Sequence, residues 1–118
     1  MKAKEEYYKI GSVPCPAFNN ELVYFNKYGF NHLIRKGKYP RDRKEQLKRI
    51  LILPYSLSII KNSKYVSEYR INNIKNVCGY FWSVQGNING FFLRVVIRQI
   101  NSGSKHFFSI MYEKQKAP

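Results

Sequence analysis

The chain has 118 residues, 44% of them hydrophobic and 16% aromatic, and it carries 21 Lys and Arg against 7 Asp and Glu, a formal net charge of +14. This length and composition predict one packed domain over residues 1–118, with its core at about 20–113 between short polar tails, and exclude a disordered chain. The excess positive charge predicts an anionic partner, nucleic acid first.

Features that the sequence lacks exclude several further classes of protein. The polar start and the lack of an apolar run of ~20 residues argue against a secretion signal and a membrane span. The two cysteines, Cys15 and Cys78, lie far apart without a CxxC motif, so neither a zinc site nor another cofactor is predicted. A cytoplasmic protein with reduced thiols is the expectation.

The first forty residues predict irregular structure, one strand and one short helix. The helix would bury Phe30, Leu33 and Ile34, which follow the i, i+3, i+4 spacing. Its end is predicted at Gly37–Pro40. The preceding elements are a short helix or frayed start at 1–9, an extended segment with two prolines at 12–17, a strand at 21–26 and a turn at Tyr28-Gly29.

A second helix is predicted from Asp42, because Glu45 three residues later completes a capping box. Its apolar stripe would consist of Leu47, Ile50 and Leu51. Pro54 is predicted to end it. Residues 57–60 fit either one more helical turn, which we favour, or the first arm of a hairpin.

From Lys64 onward the apolar residues recur with period two, which predicts strands. The fold class is therefore α+β, with N-terminal helices packed on a four-stranded antiparallel sheet. The predicted strands span 64–71, 79–85, 91–100 and 105–113, with a polar break at 72–76, a glycine-bounded loop at 86–90, a tight turn at 101–104 and a tail at 114–118.

Alternation along the third of these strands directs Phe91, Leu93, Val95 and Ile97 towards the helices and places Arg94 and Arg98 on the opposite face. They are either a solvated face or phosphate contacts in a groove. In the last strand, strict alternation groups Phe107, Ser109 and Met111 on one face. Ser109 either fills a tight position or directs its hydroxyl into a site.

His32 lies in the most basic segment, since Lys27 to Arg49 contains nine Lys and Arg and two acids, half of the chain's net charge. His32 and Arg35 would share a face of the first predicted helix. A histidine beside phosphate-binding cations suits metal-free RNA cleavage, in which the 2′-hydroxyl attacks the adjacent phosphorus. A purely structural role for His32 remains the alternative. The scattered acids argue against a two-metal site.

Three segments resemble the barnase–EndoU–colicin E5/D–RelE-like nuclease group, in particular its phage- and mobile-element-associated branch. Residues 29–36, after a short strand, are similar to the group's histidine-bearing helix. Residues 40–54 are similar to its basic helix ending in Leu-Pro. Residues 107–112 resemble its closing strand, which carries a Ser or Thr followed by an aromatic residue.

The resemblance implies a metal-independent endoribonuclease of the kind used by toxins and mobile elements, with an acidic antitoxin or immunity protein as a partner besides RNA. It implies His32 as the general acid or base, with Arg98, Ser109 and Tyr112 as further catalytic-site residues from the sheet. It implies Arg35, Lys36, Arg41 and Arg49 as phosphate-binding groups, to which the arginine face of the third strand adds Arg94. Many members carry a second histidine where Gly37-Lys38 stands here, so a Lys, Tyr or Arg would take the second role.

Two other functions fit the same features. A non-catalytic RNA- or DNA-binding module would use the basic segment and exposed tyrosines without chemistry. A phage-type structural or regulatory protein would use the positive charge to bind an acidic protein.

Overall fold

The computed structural model describes residues 2–113, and the predicted tail at 114–118 lies outside this range. Within residues 2–113 the chain forms three α-helices, eight strands and one short 3-10 helix, Pro16–Phe18. The helices are α1 (Lys2–Ile10), α2 (Lys27–Ile34) and α3 (Arg43–Asn62). The strands are β1 (Ser12–Cys15), β2 (Glu21–Tyr24), β3 (Arg35–Lys36), β4 (Tyr39–Pro40), β5 (Glu68–Ile74), β6 (Val77–Ile88), β7 (Phe91–Ile100) and β8 (His106–Tyr112).

The main sheet confirms the α+β class but corrects the predicted architecture. It is a mixed sheet of six strands in the order β1-β2-β8-β7-β6-β5, not four antiparallel strands. The predicted four-strand meander forms the last four strands in this order. β1 and β2 form an antiparallel hairpin, and β2 joins β8 in parallel, with Tyr24 opposite His106. Strand β1 was not predicted because two prolines lie in and next to it, although a strand at the edge of a sheet tolerates proline.

The core lies on one face of this sheet, beneath the helices. β7 supplies Leu93, Val95 and Ile97, as predicted, while Phe91 at its start is exposed. Tyr7 and Val13 are also buried, so α1 and β1 add to the core before residue 20. The other face of β6, β7 and β8 is covered only in part, and it is there that the arginines lie.

Helix α3 differs most from its prediction. Its start is confirmed, because the Asp42 carboxylate accepts the Glu45 backbone N–H at 2.8 Å. It continues through Pro54 to Asn62. Its buried residues are Ile52, Leu53, Ser56, Ile59 and Ile60, whereas Leu47 and Leu51 of the predicted stripe are exposed. Burial on both sides of Pro54 keeps the two halves in one helix despite the lost backbone hydrogen bond.

The hairpin turns are tighter than predicted. β6 extends to Ile88, so the loop at 86–90 shrinks to Asn89 and Gly90, both with positive φ. The polar break at 72–76 shrinks in the same way, to Lys75 and Asn76. Such two-residue turns favour the twist of antiparallel hairpins. None of the helices within residues 2–113 is long and apolar enough to cross a membrane.

Candidate active-site cleft

His32 is positioned by the close contact of α2 with β8. The helix is capped by the Asn26 side chain, which accepts the Tyr28 N–H at 3.2 Å. Gly29 lies against the backbone of Phe107, where a Cβ atom would stand 2.5 Å from the Tyr7 hydroxyl. The predicted turn at Tyr28-Gly29 is therefore wrong, because the glycine serves helix packing. This contact brings the flank of α2 that carries His32 onto β8.

A bulge in β8 forms the other half of the site. Val96 pairs with Ser109, but the next residue, Ile97, pairs with Phe107, so Phe108 is an extra residue in β8. Phe107 is fully buried in the core, while Phe108 and Ser109 both line the open face. The predicted grouping of Phe107 with Ser109 is thus wrong, because a bulge resets the alternation.

His32 is held between a ring and a guanidinium. Its imidazole stacks on Phe108 with centroids 4.2 Å apart and planes inclined by 24°. Arg41 donates from Nε to the His32 carbonyl at 2.9 Å, and its Nη2 lies 3.3 Å from His32 Nε2. Because a guanidinium only donates hydrogen bonds, Nε2 must accept, and the proton of the neutral ring is on Nδ1.

This environment favours the neutral imidazole. Burial lowers the pKa of His32 to about 4, and Arg41, Arg49, Arg98 and Lys36 add to that effect. His32 is therefore uncharged at neutral pH and able to accept a proton, and it is not a proton donor in the free protein.

His32 borders two concave regions of the open face. On one side is the arginine cleft, of about 330 Å³, and on the other a hollow of about 240 Å³. The cleft is lined by His32, Glu68, Arg70, Phe81, Ser83, Arg94, Val96, Phe108, Ser109 and Met111. The hollow is lined by Tyr28, Asn31, His32, Arg35, Gly37, Arg98 and Phe108.

The cleft contains one arginine with an unsatisfied donor. Arg94 Nη1 lies 3.3 Å from the Glu68 carboxylate, and its Nη2 contacts the Met111 sulfur at 3.2 Å. Its Nε is buried with no hydrogen-bond partner within the part of the chain that the structure describes. A buried N–H without an acceptor costs free energy, and the other contacts of this guanidinium are with the Glu68 and Glu113 carboxylates and the Met111 sulfur.

Arg98 is held rigidly beside the hollow. Its Cζ lies 4.4 Å from the Phe108 centroid and 5.4 Å from that of Tyr28, and its Nε donates to His106 Nε2 at 3.0 Å. His106 is buried and accepts this hydrogen bond through Nε2. The guanidinium is thus fixed in orientation while part of its edge faces the hollow.

The structure separates the predicted site residues into groups. His32, Arg94 and Ser109 share the cleft, and Arg35 and Arg98 line the hollow. Arg49 binds Ser109 Oγ at 3.1 Å and Glu45 at 2.9 Å, so it links α3 to β8 rather than lying free for phosphate.

The remaining predicted residues do not line the cleft. Arg41 instead donates hydrogen bonds to the carbonyl oxygen and the Nε2 atom of His32. Lys36 lies in a separate depression with Tyr39 and Arg49. Tyr112 pairs with Leu93, on the helix face of the sheet, where Lys48 lies over its ring at 5.2 Å.

Glu68, Arg70 and Phe108 are among the cleft residues that the sequence did not assign to a site. Glu68 and Arg70 are two residues apart in β5, so the period-two pattern that begins at Lys64 could have placed both on one face of the sheet. Phe108 was assigned to the opposite face from Ser109, and no local signal in the sequence marks the bulge. Within residues 2–113, no three His, Cys, Asp or Glu side chains cluster in a way that would hold a metal ion.

Stability is expected to fall as the pH drops from about 6.5 to 4. Burial lowers the pKa of His106 to about 4, and Arg98 adds to the effect. Between pH 6.5 and pH 4 the unfolded chain is therefore protonated at His106 while the folded protein is not, which favours unfolding as the pH falls. His106→Gln retains an acceptor for Arg98 but does not titrate. Chemical denaturation at pH 7.5 and pH 5 should show the wild type losing more stability than the variant, by about 2 kcal/mol. Parallel losses would contradict this assignment.

Comparison of the chain with protein-family models, with curated proteins and with solved structures finds no match in any of the three. A proposal about function must therefore rest on the residues of the cleft and their chemistry.

Proposed function

We propose that this chain binds single-stranded RNA in the arginine cleft and cleaves it without a metal ion, with His32 as the general base. One observation carries the proposal: a neutral histidine, fixed by Phe108 and Arg41, borders a cleft with Arg94 and Ser109. The net charge of +14 supplies the attraction for a polyanion.

The open face suits a nucleic acid because two of its arginines are stacked on rings, Arg70 in the cleft and Arg98 beside the hollow. Arg70 lies over Phe81 at 5.1 Å, and Arg98 lies over Phe108 at 4.4 Å. A stacked guanidinium keeps its edge N–H groups available for phosphate oxygens, and its fixed plane reduces the entropy lost on binding.

Substrate binding would free the Nε2 atom of His32 from its hydrogen bond with Arg41, so that it can act as the base. Arg41 donates to His32 Nε2 in the free protein. A phosphate is a stronger acceptor for a guanidinium than a neutral imidazole is, so a phosphate bound at the His32 border of the cleft competes for Arg41 Nη2, which lies 3.3 Å from His32 Nε2, and leaves Nε2 open. Nε2 then takes the proton of the 2′-hydroxyl, whose oxygen attacks the phosphorus.

The reaction breaks the bond from phosphorus to the 5′-oxygen and yields a 2′,3′-cyclic phosphate and a 5′-hydroxyl. The arginines stabilise the negative charge that develops on the phosphorane and the leaving oxygen, which takes its proton from water. Glu68 is a second candidate base, because its carboxylate pairs with Arg94 and faces the same cleft. Glu68→Gln should retain most activity if His32 is the base.

The proposal is tested by incubating the protein with a single-stranded RNA oligonucleotide in EDTA and analysing the product ends. We expect cyclic phosphate and 5′-hydroxyl ends, with activity reduced in Arg70→Ala. Lys61→Ala, at the far end of α3, removes the same charge away from the cleft and should retain activity. Intact RNA with the wild-type protein would overturn the catalytic part.

The second candidate is a module that binds RNA without cleaving it. The Arg41 contact at Nε2 favours it, because that contact occupies the lone pair that a base requires. This candidate predicts salt-sensitive binding that Arg70→Ala weakens, with no cleavage. An acidic inhibitor protein that covers the same cleft is compatible with the first candidate.

A further inference from the structure

A second surface lies on the helix-side face of the sheet, near the β5 edge. Three rings form it, and we call them the aromatic ladder: Tyr69, Trp82 and Tyr80. Tyr69 and Trp82 have centroids 5.6 Å apart with planes inclined by 25°, and Trp82 and Tyr80 are 6.1 Å apart at 19°. The helices do not cover its outer end, since Tyr69 is 49% exposed.

The ladder is rigid at its inner end. Phe18 packs edge-on against Trp82 at 5.3 Å. The Lys105 ammonium lies 4.8 Å from the Trp82 centroid and is held by both oxygens of Glu21, at 2.9 and 3.0 Å. Cross-strand pairing with Tyr69 explains the position of Trp82 as sheet packing. It does not explain why this edge strand exposes Tyr69 to solvent. Ile71, on the same face of the strand, is also 52% exposed.

The ladder and the arginine cleft are joined by a single strand. Along β5, Glu68 and Arg70 face the cleft, while Tyr69 and Ile71 face the ladder. β5 is the last strand of the sheet, and all seven of its residues are exposed. A flexible chain that leaves the cleft past Arg70 reaches the ladder by passing over this edge.

The occupant that fits is the same polymer that fits the cleft. The net charge of +14 selects an anionic ligand and disfavours a second copy of this chain. Among anionic polymers, single-stranded nucleic acid offers flat rings that stack on tyrosine and tryptophan. We propose that the aromatic ladder is a second RNA subsite, where nucleobases outside the cleft stack on Tyr69. This inference rests on the proposed function, since it extends the same RNA strand around β5.

Trp82 is the chain's one tryptophan and therefore reports on the ladder directly. We would titrate the protein with two 2′-O-methyl RNA oligonucleotides, which resist cleavage: a trinucleotide that fills only the cleft and a dodecamer long enough to pass the edge. We expect the dodecamer to quench Trp82 fluorescence. Tyr69→Leu should weaken dodecamer binding by roughly 5- to 100-fold, the range for one lost base–aromatic stack, and leave trinucleotide binding unchanged.

Two variants control for other effects. Tyr69→Phe keeps the ring and should bind like the wild type. Tyr65→Leu removes a tyrosine that is 83% exposed and outside the ladder, and should also bind normally. Equal dodecamer affinity for Tyr69→Leu and the wild type, while Arg70→Ala weakens binding, would overturn the ladder and leave the cleft standing. Failure of both oligonucleotides to bind would overturn both proposals. A wild-type dimer that Tyr69→Leu converts to monomer would assign the ladder to self-association and overturn this inference.

Discussion

Replacing His32 with Gln is expected to reduce RNA cleavage in EDTA by roughly 10²- to 10⁴-fold, the usual range for a lost general base. Gln retains an acceptor for Arg41 and thus the local hydrogen bond, but it cannot take up a proton at neutral pH. RNA affinity at pH 7 should change little, because burial lowers the pKa of His32 to about 4 and the ring carries no charge that could attract phosphate. Single-turnover cleavage rates and fluorescence-anisotropy binding separate the two effects.

The pH dependence of the wild type gives an independent check on the same role. A base must be unprotonated, so kcat/KM should fall as the pH drops through about 4, the pKa of His32 in the free protein. Bound phosphate favours the protonated ring and raises its pKa, so the acid limb of kcat should lie at higher pH.

Lys27→Ala, in the first turn of the same helix, is the matched control for His32→Gln and should retain full activity. If His32→Gln cleaves at the wild-type rate while Glu68→Gln does not, the base is Glu68 and the assignment of His32 is wrong.

Gly29→Ala is expected to cost about 3 kcal/mol or more in the free energy of unfolding, at the upper end for overpacking. On an open helix surface the same change would stabilise the protein by about 1 kcal/mol. Here the new Cβ would lie 2.5 Å from the Tyr7 hydroxyl and closer still to the carbonyl oxygen of Phe107, so α2 must move away from β8. Chemical denaturation measures the change in stability.

The displacement of α2 should also move His32 away from Phe108. Gly29→Ala is therefore expected to lose cleavage activity even under conditions where it remains folded. Asn31→Ala, an exposed change on the same helix, should leave stability within about 0.5 kcal/mol of the wild type. A Gly29→Ala protein as stable as the wild type would contradict the close packing of α2 on β8.

Local patterns in the sequence were sufficient for much of the fold. The bounds of β7 and the cap at Asp42 were predicted correctly because each depends on residues next to one another in the chain. Strand β1 and the passage of α3 through Pro54 without a break were missed, although the favoured helical turn at 57–60 is confirmed as part of α3. Both depend on burial against distant strands, which overrides the local effect of proline.

The site could be predicted only in part for the same reason. The basic segment around His32 and the arginine face of β7 were visible in the sequence, and the structure brings His32, Arg94 and Ser109 into one cleft. The sequence did not reveal that Arg49 is engaged by Ser109 or that Tyr112 lies on the helix face. Those outcomes follow from the bulge at Phe108 and from the packing of α3 on β8.

The most direct test of the account uses two RNA oligonucleotides that differ at one position. Wild-type protein in EDTA first identifies the preferred cleavage site, and a second oligonucleotide then carries a 2′-deoxynucleotide on the 5′ side of that bond. We expect cleavage of the first oligonucleotide to a 2′,3′-cyclic phosphate, and no cleavage of the second at that bond, although both bind equally. Equal cleavage of both oligonucleotides, or of neither, would contradict attack by the 2′-hydroxyl with His32 as its base.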